Sequence, residues 1–221
     1  MILAVMFLCF ANIVNAQERC QYKNDDIDKD SVNVTMILRS TGQPVNGTVC
    51  EYYENGTLSR ETPYMDGRRD GVQKWYNESG SLRLETPYKY DTIEGTRKTY
   101  SENEVLSWET PYKYGKVEGI EKWYYENGEL LEEIPFKNDK MQGLGKIYFK
   151  NGKLKMDITY RNGTRDGYAR IYTETGLLFG RILYKNNVPV SGSCENGRQL
   201  TGEDLINLEG GYEVLCGGEA E

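Results

Sequence analysis

From Gly47 to Gly192 short runs rich in aromatic and β-branched residues alternate with polar turns, and the alternation is periodic. Gly47, Gly71, Gly95, Gly119, Gly143 and Gly167 fall 24 residues apart, and Gly192 follows after 25. Taking each glycine as position 0, position +5 is always Tyr (Tyr52, Tyr76, Tyr100, Tyr124, Tyr148, Tyr172) and +11 always Leu (Leu58, Leu82, Leu106, Leu130, Leu154, Leu178). Position +17 is always aromatic, from Tyr64 through Phe136 to Tyr184, and +9 is Gly except at Glu104. A period of this length marks a repeat architecture. Each unit predicts a β-hairpin: two strands flank an Asn-Gly-type turn, and a second turn at +18 to +22 leads onward. Helices are excluded, because glycine recurs too densely and Pro63, Pro87, Pro111 and Pro135 occupy +16.

Parity then selects a register. A two-residue turn would place the Tyr and Leu columns on opposite sides of the sheet. A three-residue loop at +7 to +9, its Gly left-handed, sets Tyr +5 opposite Leu +11. With strict alternation, +5, +11, +15 and +17 then share one face, and +4 lies on the other.

The pattern Gly-x-x-x-(Trp/Tyr/x)-Tyr-x-(Glu/Asn)-(Asn/Ser)-Gly-x-Leu-x-x-Glu-x-x-Tyr, clearest from Gly119 to Leu130, resembles the MORN repeat in the variant form common in bacterial exported proteins. The resemblance covers residues 47–192. It implies an all-β fold, an elongated single-layer antiparallel sheet of stacked β-hairpins used for protein or lipid-headgroup contact, without catalytic residues. Bacterial members are often labelled antitoxin-like. Gly47, Tyr52, Leu58, Tyr64, Gly71, Tyr76, Gly119 and Tyr124 exemplify the positions that build the repeat.

The flanks read differently. Residues 1–16 are apolar except Asn12 and Asn15, too short for a membrane span, and end in Val14-Asn15-Ala16. A signal peptide cut after Ala16 is the expectation, although no Lys or Arg precedes the apolar run. A buried strand is the alternative. Residues 17–46 then form an N-terminal cap with an acidic linker, 47–192 the six repeats and 193–221 a C-terminal cap. Excluding Cys9, the caps and first repeat hold Cys20, Cys50, Cys194 and Cys216. Twelve strands at about 4.8 Å put the array's ends roughly 58 Å apart, far beyond disulfide reach, so Cys20–Cys50 and Cys194–Cys216 are the pairs left. Cys194-Glu195-Asn196-Gly197 looks like the turn of a shortened seventh unit. Thr201 to Asp204 reads as an N-cap for a short helix through Leu205, Ile206 and Leu208, stopped by Gly210.

Composition narrows the chemistry. The chain lacks His, which removes Ser-His and Cys-His couples, His-ligated metals and a histidine pH switch. A net charge of -7 argues against nucleic acid as partner. Asp25, Asp26, Asp28 and Asp30 are spaced like a calcium loop, but Ser31 replaces its central Gly and Ile37 its final Glu, so a solvated linker is the plainer reading. Glu61, Glu85, Glu109, Glu133 and Asp157 repeat at +14, and Lys74, Lys98, Lys122, Lys146 and Arg170 at +3. These columns are either cross-strand pairs that keep the sheet soluble or a ladder of recognition charges. Five Asn-x-Ser/Thr sites (Asn33, Asn46, Asn55, Asn77, Asn162) matter only in a eukaryotic secretory route.

Non-repeating aromatic and apolar residues are the candidates for specificity: Trp75, Trp123 and Ile147 at +4, with Tyr53, Tyr125, Phe149 and Phe179. The resulting expectation is a secreted or periplasmic, monomeric, non-enzymatic protein without cofactor or metal, binding a protein along its sheet. Membrane-surface contact is not favoured. An antitoxin or immunity protein neutralising a specific toxin is the second expectation.

Overall fold

The computed structural model describes residues 20–30, 35–206 and Cys216. The signal-peptide reading, Asn33, Leu208 and Gly210 therefore lie outside the described residues. The chain forms one long open sheet of stacked hairpins with a short helix, Gly202–Ile206, near its C-terminal end. In the first repeat, strand Gly47–Tyr52 pairs antiparallel with Leu58–Met65, and the same pair of strands recurs along the array. Adjacent units pair again through +13 and +14 of one and +4 and +3 of the next, as in Arg60↔Trp75 and Glu61↔Lys74.

The hairpin loop has three residues, +7 to +9. Tyr53 N–H bonds Thr57 O at 2.8 Å, Gly56 is left-handed at φ 83°, and Tyr52 faces Leu58. Glu104, the one non-glycine at +9, takes the same conformation at φ 58°, and its carboxylate accepts the Leu82 N–H of the preceding unit. The second turn is a two-residue turn with both residues at positive φ, such as Tyr90 and Asp91 at 46° and 67°.

The expected faces need correction. Tyr52 opposes Leu58 but Glu51 opposes Arg60, so Ser59 is an extra, bulged residue, and +12 is bulged in every unit where this hairpin forms. The bulge moves +13, +15 and +17 to the face of +2 and +4, while Tyr +5 stays with +3 and +14. Thus Trp75, Trp123 and Ile147 share a face with +15 and +17, and Tyr +5 is on the opposite side. Below, the face of +2, +4, +13, +15 and +17 is called the inner face, because it holds most of the buried side chains.

Position 0 is glycine for a local reason. Its φ lies between 112° and 138°, a region that side chains with a Cβ avoid. Its α-carbon also abuts the residue at +16 of the preceding unit: a Cβ on Gly71 would come 2.8 Å from Pro63 Cγ.

The core is uneven. In the last two units the inner face is apolar, with Met156, Ile158, Ile171 and Ile182 among its buried members, and Leu205 of the helix packs onto it. Thr201 Oγ1 accepts the Asp204 N–H and the Asp204 carboxylate accepts the Thr201 N–H, a reciprocal cap that starts this helix. A second small cluster, Ile27, Val45 and Val49, closes the N-terminal end. Between the two, the buried inner-face side chains are polar: Thr62, Gln73, Thr86, Thr110 and Glu121.

Both disulfides are formed, Cys20–Cys50 and Cys194–Cys216, each with Cα atoms 5.6 Å apart. They point to an oxidising environment. The seventh turn is present as well: Cys194 N–H bonds Arg198 O and Gly197 N–H bonds Cys194 O, the pattern of every other loop. No helix of the described residues is long and apolar enough to cross a membrane.

Candidate interaction face

Because strands repeat every 4.8 Å or so, inner-face side chains fall into rows that run along the array, across the strands. One row joins the +2 and +15 positions, another the +4 and +13 positions. The second row brings Trp75, Trp123 and Ile147 together with three residues that the repeat pattern alone did not single out: Arg60, Trp108 and Glu132.

At the N-terminal end most polar groups of this row are paired, although Arg60 Nε is buried without a partner among the described residues. The Arg60 guanidinium pairs with Glu51 and lies over the Trp75 ring, 4.5 Å from its centroid. Trp75 Nε1 donates to Gln73 Oε1 at 3.1 Å, and Gln73 Nε2 to Thr62 Oγ1 at 2.9 Å. Ile147, at the far end, packs against the apolar cluster.

The middle is different. Trp108 and Trp123 face each other on neighbouring strands and stack, ring centroids 4.3 Å apart and planes 15° apart. Trp123 Nε1 donates to Glu121 Oε1 at 3.3 Å, and Thr110 Oγ1 donates to Glu121 Oε2 at 2.9 Å. Glu132 stands beside Trp123 as its strand partner. Burial, and then the charge of Glu121, push the Glu132 carboxyl above the usual range. On the other side of the stack lies Thr99, strand partner of Trp108, and next to it Arg97, partner of Thr110. Arg97 Nε and Trp108 Nε1 are buried with no hydrogen-bond partner among the described residues. Leaving a buried donor unpaired costs about 1–3 kcal/mol. The middle units hold two such donors side by side.

The remaining candidates sit at the hairpin ends. Tyr53 and Tyr125 hydroxyls donate to the carbonyls of Tyr76 and Tyr148, each 2.7 Å away, and so tie one unit to the next. Lys155 lies over the Phe149 ring at 5.5 Å, and Phe179 packs on the apolar cluster. Half-buried, these rings serve contacts within the chain.

The opposite face carries the charge columns. Tyr76, Tyr100, Tyr124, Tyr148 and Tyr172 donate their hydroxyls to Glu61, Glu85, Glu109, Glu133 and Asp157 of the preceding unit. Lys74, Lys98 and Arg170 pair with carboxylates in the same columns at 2.9 to 3.9 Å. Burial comes first, and the bond to the carboxylate second, in raising Tyr100, Tyr124 and Tyr148; Tyr124 and Tyr148 are pushed up to about 12. Asp26 accepts the Lys23 N–H and Asp28 pairs with Arg39 at 3.6 Å, so these two acids of the calcium-like run are engaged locally.

Comparison with known proteins adds the family. Residues 45–66, 69–90, 117–138 and 141–162 match the model of the MORN repeat variant. The third unit, which holds Arg97, Thr99 and Trp108, lies outside the matched segments. No curated protein matches the chain. Among solved structures, a mutant of S. aureus TarM in complex with Fondaparinux, alpha-GlcNAc-glycerol and UDP aligns over 52% of this chain and 22% of its own length. Its identity is 11% and its TM-score 0.24, and likeness at that level carries no argument. Six hairpins in one register, four of them matched segment by segment, make the chain a MORN-repeat protein.

Proposed function

We propose that this is a non-enzymatic exported protein, secreted or periplasmic, that binds another protein along its sheet. The observation that carries the reading is the middle of the inner face. There the repeat abandons its own pattern, placing a tryptophan stack between a guanidinium whose Nε lacks a partner and two carboxylates. Arg and Trp are the side chains that dominate binding energy in protein interfaces. Two unpaired buried donors cost stability in the isolated chain, and a partner that rearranges this face relieves that cost. Export is supported by the apolar leader ending in Val14-Asn15-Ala16 and by the two disulfides.

The test is site-specific photocrosslinking. A photoreactive residue replaces Thr99 on the inner face in one sample and Lys98 on the opposite face in another. Each full-length protein is exposed to the envelope and culture fluid of the source organism. A defined protein adduct from position 99 and a markedly weaker one from position 98 is the expected result. Equal yields from both positions, or no adduct from either, would contradict the reading.

A further inference from the structure

The order of groups along the middle of the inner face defines a polarity. Arg97, Trp108, Trp123 and Glu132 stand on four consecutive strands, Gly95–Tyr100, Leu106–Lys113, Gly119–Tyr124 and Leu130–Lys137. A cation therefore begins the series, two stacked indoles occupy its centre, and a carboxylate ends it with Glu121 alongside. Three strand steps of roughly 4.8 Å and an offset of two residues along the strands, about 6.6 Å, put the Cα atoms of the two ends about 16 Å apart, a span that the long Arg97 side chain can shorten. An extended peptide advances about 3.3 Å per residue, so side chains at i and i+4 are about 13 Å apart and project from the same side. The side chain at i+2 falls midway, over the indole stack.

Among the described residues no other part of the sheet sets a guanidinium, two stacked indoles and a carboxylate in series, although Arg60 Nε is also unpartnered. Arg60 in the first unit is held by Glu51 and Trp75, and the same rows turn apolar from Ile147 onward. Thr99 also makes a gap: a small side chain stands beside the open side of Trp108, where the corresponding position holds Trp75 in the unit before and Trp123 in the unit after.

We propose that this face recognises an extended peptide segment of its protein partner, running along the array and across the strands, with an acidic residue over Arg97, an apolar or aromatic residue on Trp108 and Trp123, and a basic residue over Glu132. The inference rests on the protein-binding reading above and adds the partner's chemistry and direction. Arg97 contributes a fork of donors suited to a carboxylate. Glu121 and Glu132 provide acceptors for the basic end. The indoles supply the apolar area and a cation–π contact to the basic side chain.

The test is selection from a random linear peptide library displayed on phage, with the full oxidised protein as bait. Wild type is expected to enrich peptides with Asp or Glu four residues from Lys or Arg and an apolar residue between. Arg97→Glu combined with Glu132→Lys exchanges the two ends, so peptides in which the basic group takes the acidic position along the same chain direction should be enriched instead. The neutral pair Arg97→Gln and Glu132→Gln should lose enrichment at least tenfold for both charges. Thermal midpoints and absence of free thiols establish that each variant is folded. A role in stability alone would shift midpoints without changing which peptides are selected. Enrichment unaffected by the exchange, enrichment of no common spacing, or preference for acidic oligosaccharides over all peptides in a parallel glycan array would overturn the proposal. A defined adduct from position 99 with any of these outcomes would leave protein binding standing and remove only the charge pattern.

Discussion

At the scale of single residues, repetition follows from backbone and proton chemistry more than from side-chain volume. Position 0 shows the backbone part. Gly95 sits at φ 112°, and a Cβ there would meet Pro87 Cγ at 3.2 Å. Gly95→Ala should therefore lower unfolding free energy by about 1–3 kcal/mol, the usual cost of a side chain held in such a conformation. Urea denaturation measures it, and Pro87→Ala in the same chain should recover only the contact portion. The tyrosine ladder shows the proton part. Tyr124 and Tyr148 have folded-state pKa values pushed up to about 12 against an ordinary 10, so the folded state holds these protons more tightly than the unfolded chain. Their contribution is complete below pH 10 and declines as pH rises from 10 through 12. Tyr124→Phe should cost about 1.5–3 kcal/mol at pH 8, the net worth of a hydrogen bond to a charged group. It should also make the fall in denaturant midpoint between pH 9 and 12 shallower than in wild type; an identical fall would mean that the ladder does not control alkaline stability.

At the scale of elements, the strand pairing of the hairpin was legible and its faces were not. The Gly, Tyr, Leu and aromatic columns give the period, and the Asn-Gly turn gives the three-residue loop, because left-handed backbone restricts residue choice so sharply. The bulge at +12 leaves no such trace. Ser59, Arg83, Ser107, Leu131, Lys155 and Phe179 share no property, since a bulged residue of this kind needs neither glycine nor a fixed side chain. One unseen residue is enough to exchange faces: Trp75, Trp123 and Ile147 do lie opposite Tyr +5, but +15 and +17, expected beside Tyr +5, lie with them instead. Arg97, Trp108, Glu121 and Glu132 were missed for a complementary reason. Columns +2 and +13 vary, and attention to what repeats passes over them; the Arg and the Glu that each column holds on a face otherwise built for burial were the available signal. The turns linking units show what the carboxylate or amide side chain before most repeat glycines does. Glu118 accepts the Asn138 N–H at 2.8 Å, as Glu94 does for Tyr114 and Asp70 for Tyr90. Glu118→Ala should cost about 1.5–3 kcal/mol as a charge-assisted bond is lost, whereas Glu118→Gln should retain most of it. Parallel urea melts of the two variants compare them directly.

At the scale of the molecule, a stack of hairpins has two open edges, and unprotected edges invite other strands. Each edge here is covered by a segment that a disulfide holds. Tyr22–Lys23 pairs in parallel with Gly47–Tyr52, and Cys20–Cys50 anchors it beside that strand. At the other end the seventh turn folds residues 198–200 back along Val188–Cys194, and Cys194–Cys216 ties Cys216 to the end of that strand. Units meet one another through one repeated pairing, so an uncovered last strand could accept the first strand of another copy in the manner of an internal junction. Such a contact is head-to-tail and does not close, and it leads to open assemblies. The oxidised protein is expected to sediment as a single monomeric species across a wide concentration range. Under a reductant, without denaturant, it should associate progressively as concentration increases, while circular dichroism keeps its β signal. Ser substitutions separate the ends: Cys20→Ser with Cys50→Ser frees one edge, and Cys194→Ser with Cys216→Ser frees the other. Each variant alone should self-associate weakly, and a mixture of the two should associate more strongly, because one edge of each kind then becomes available. Sedimentation velocity distinguishes these cases. A reduced chain that remains monomeric at every concentration would show that the covering segments hold without their disulfides, and that the sulfur bridges serve the stability of the caps and not the isolation of the sheet.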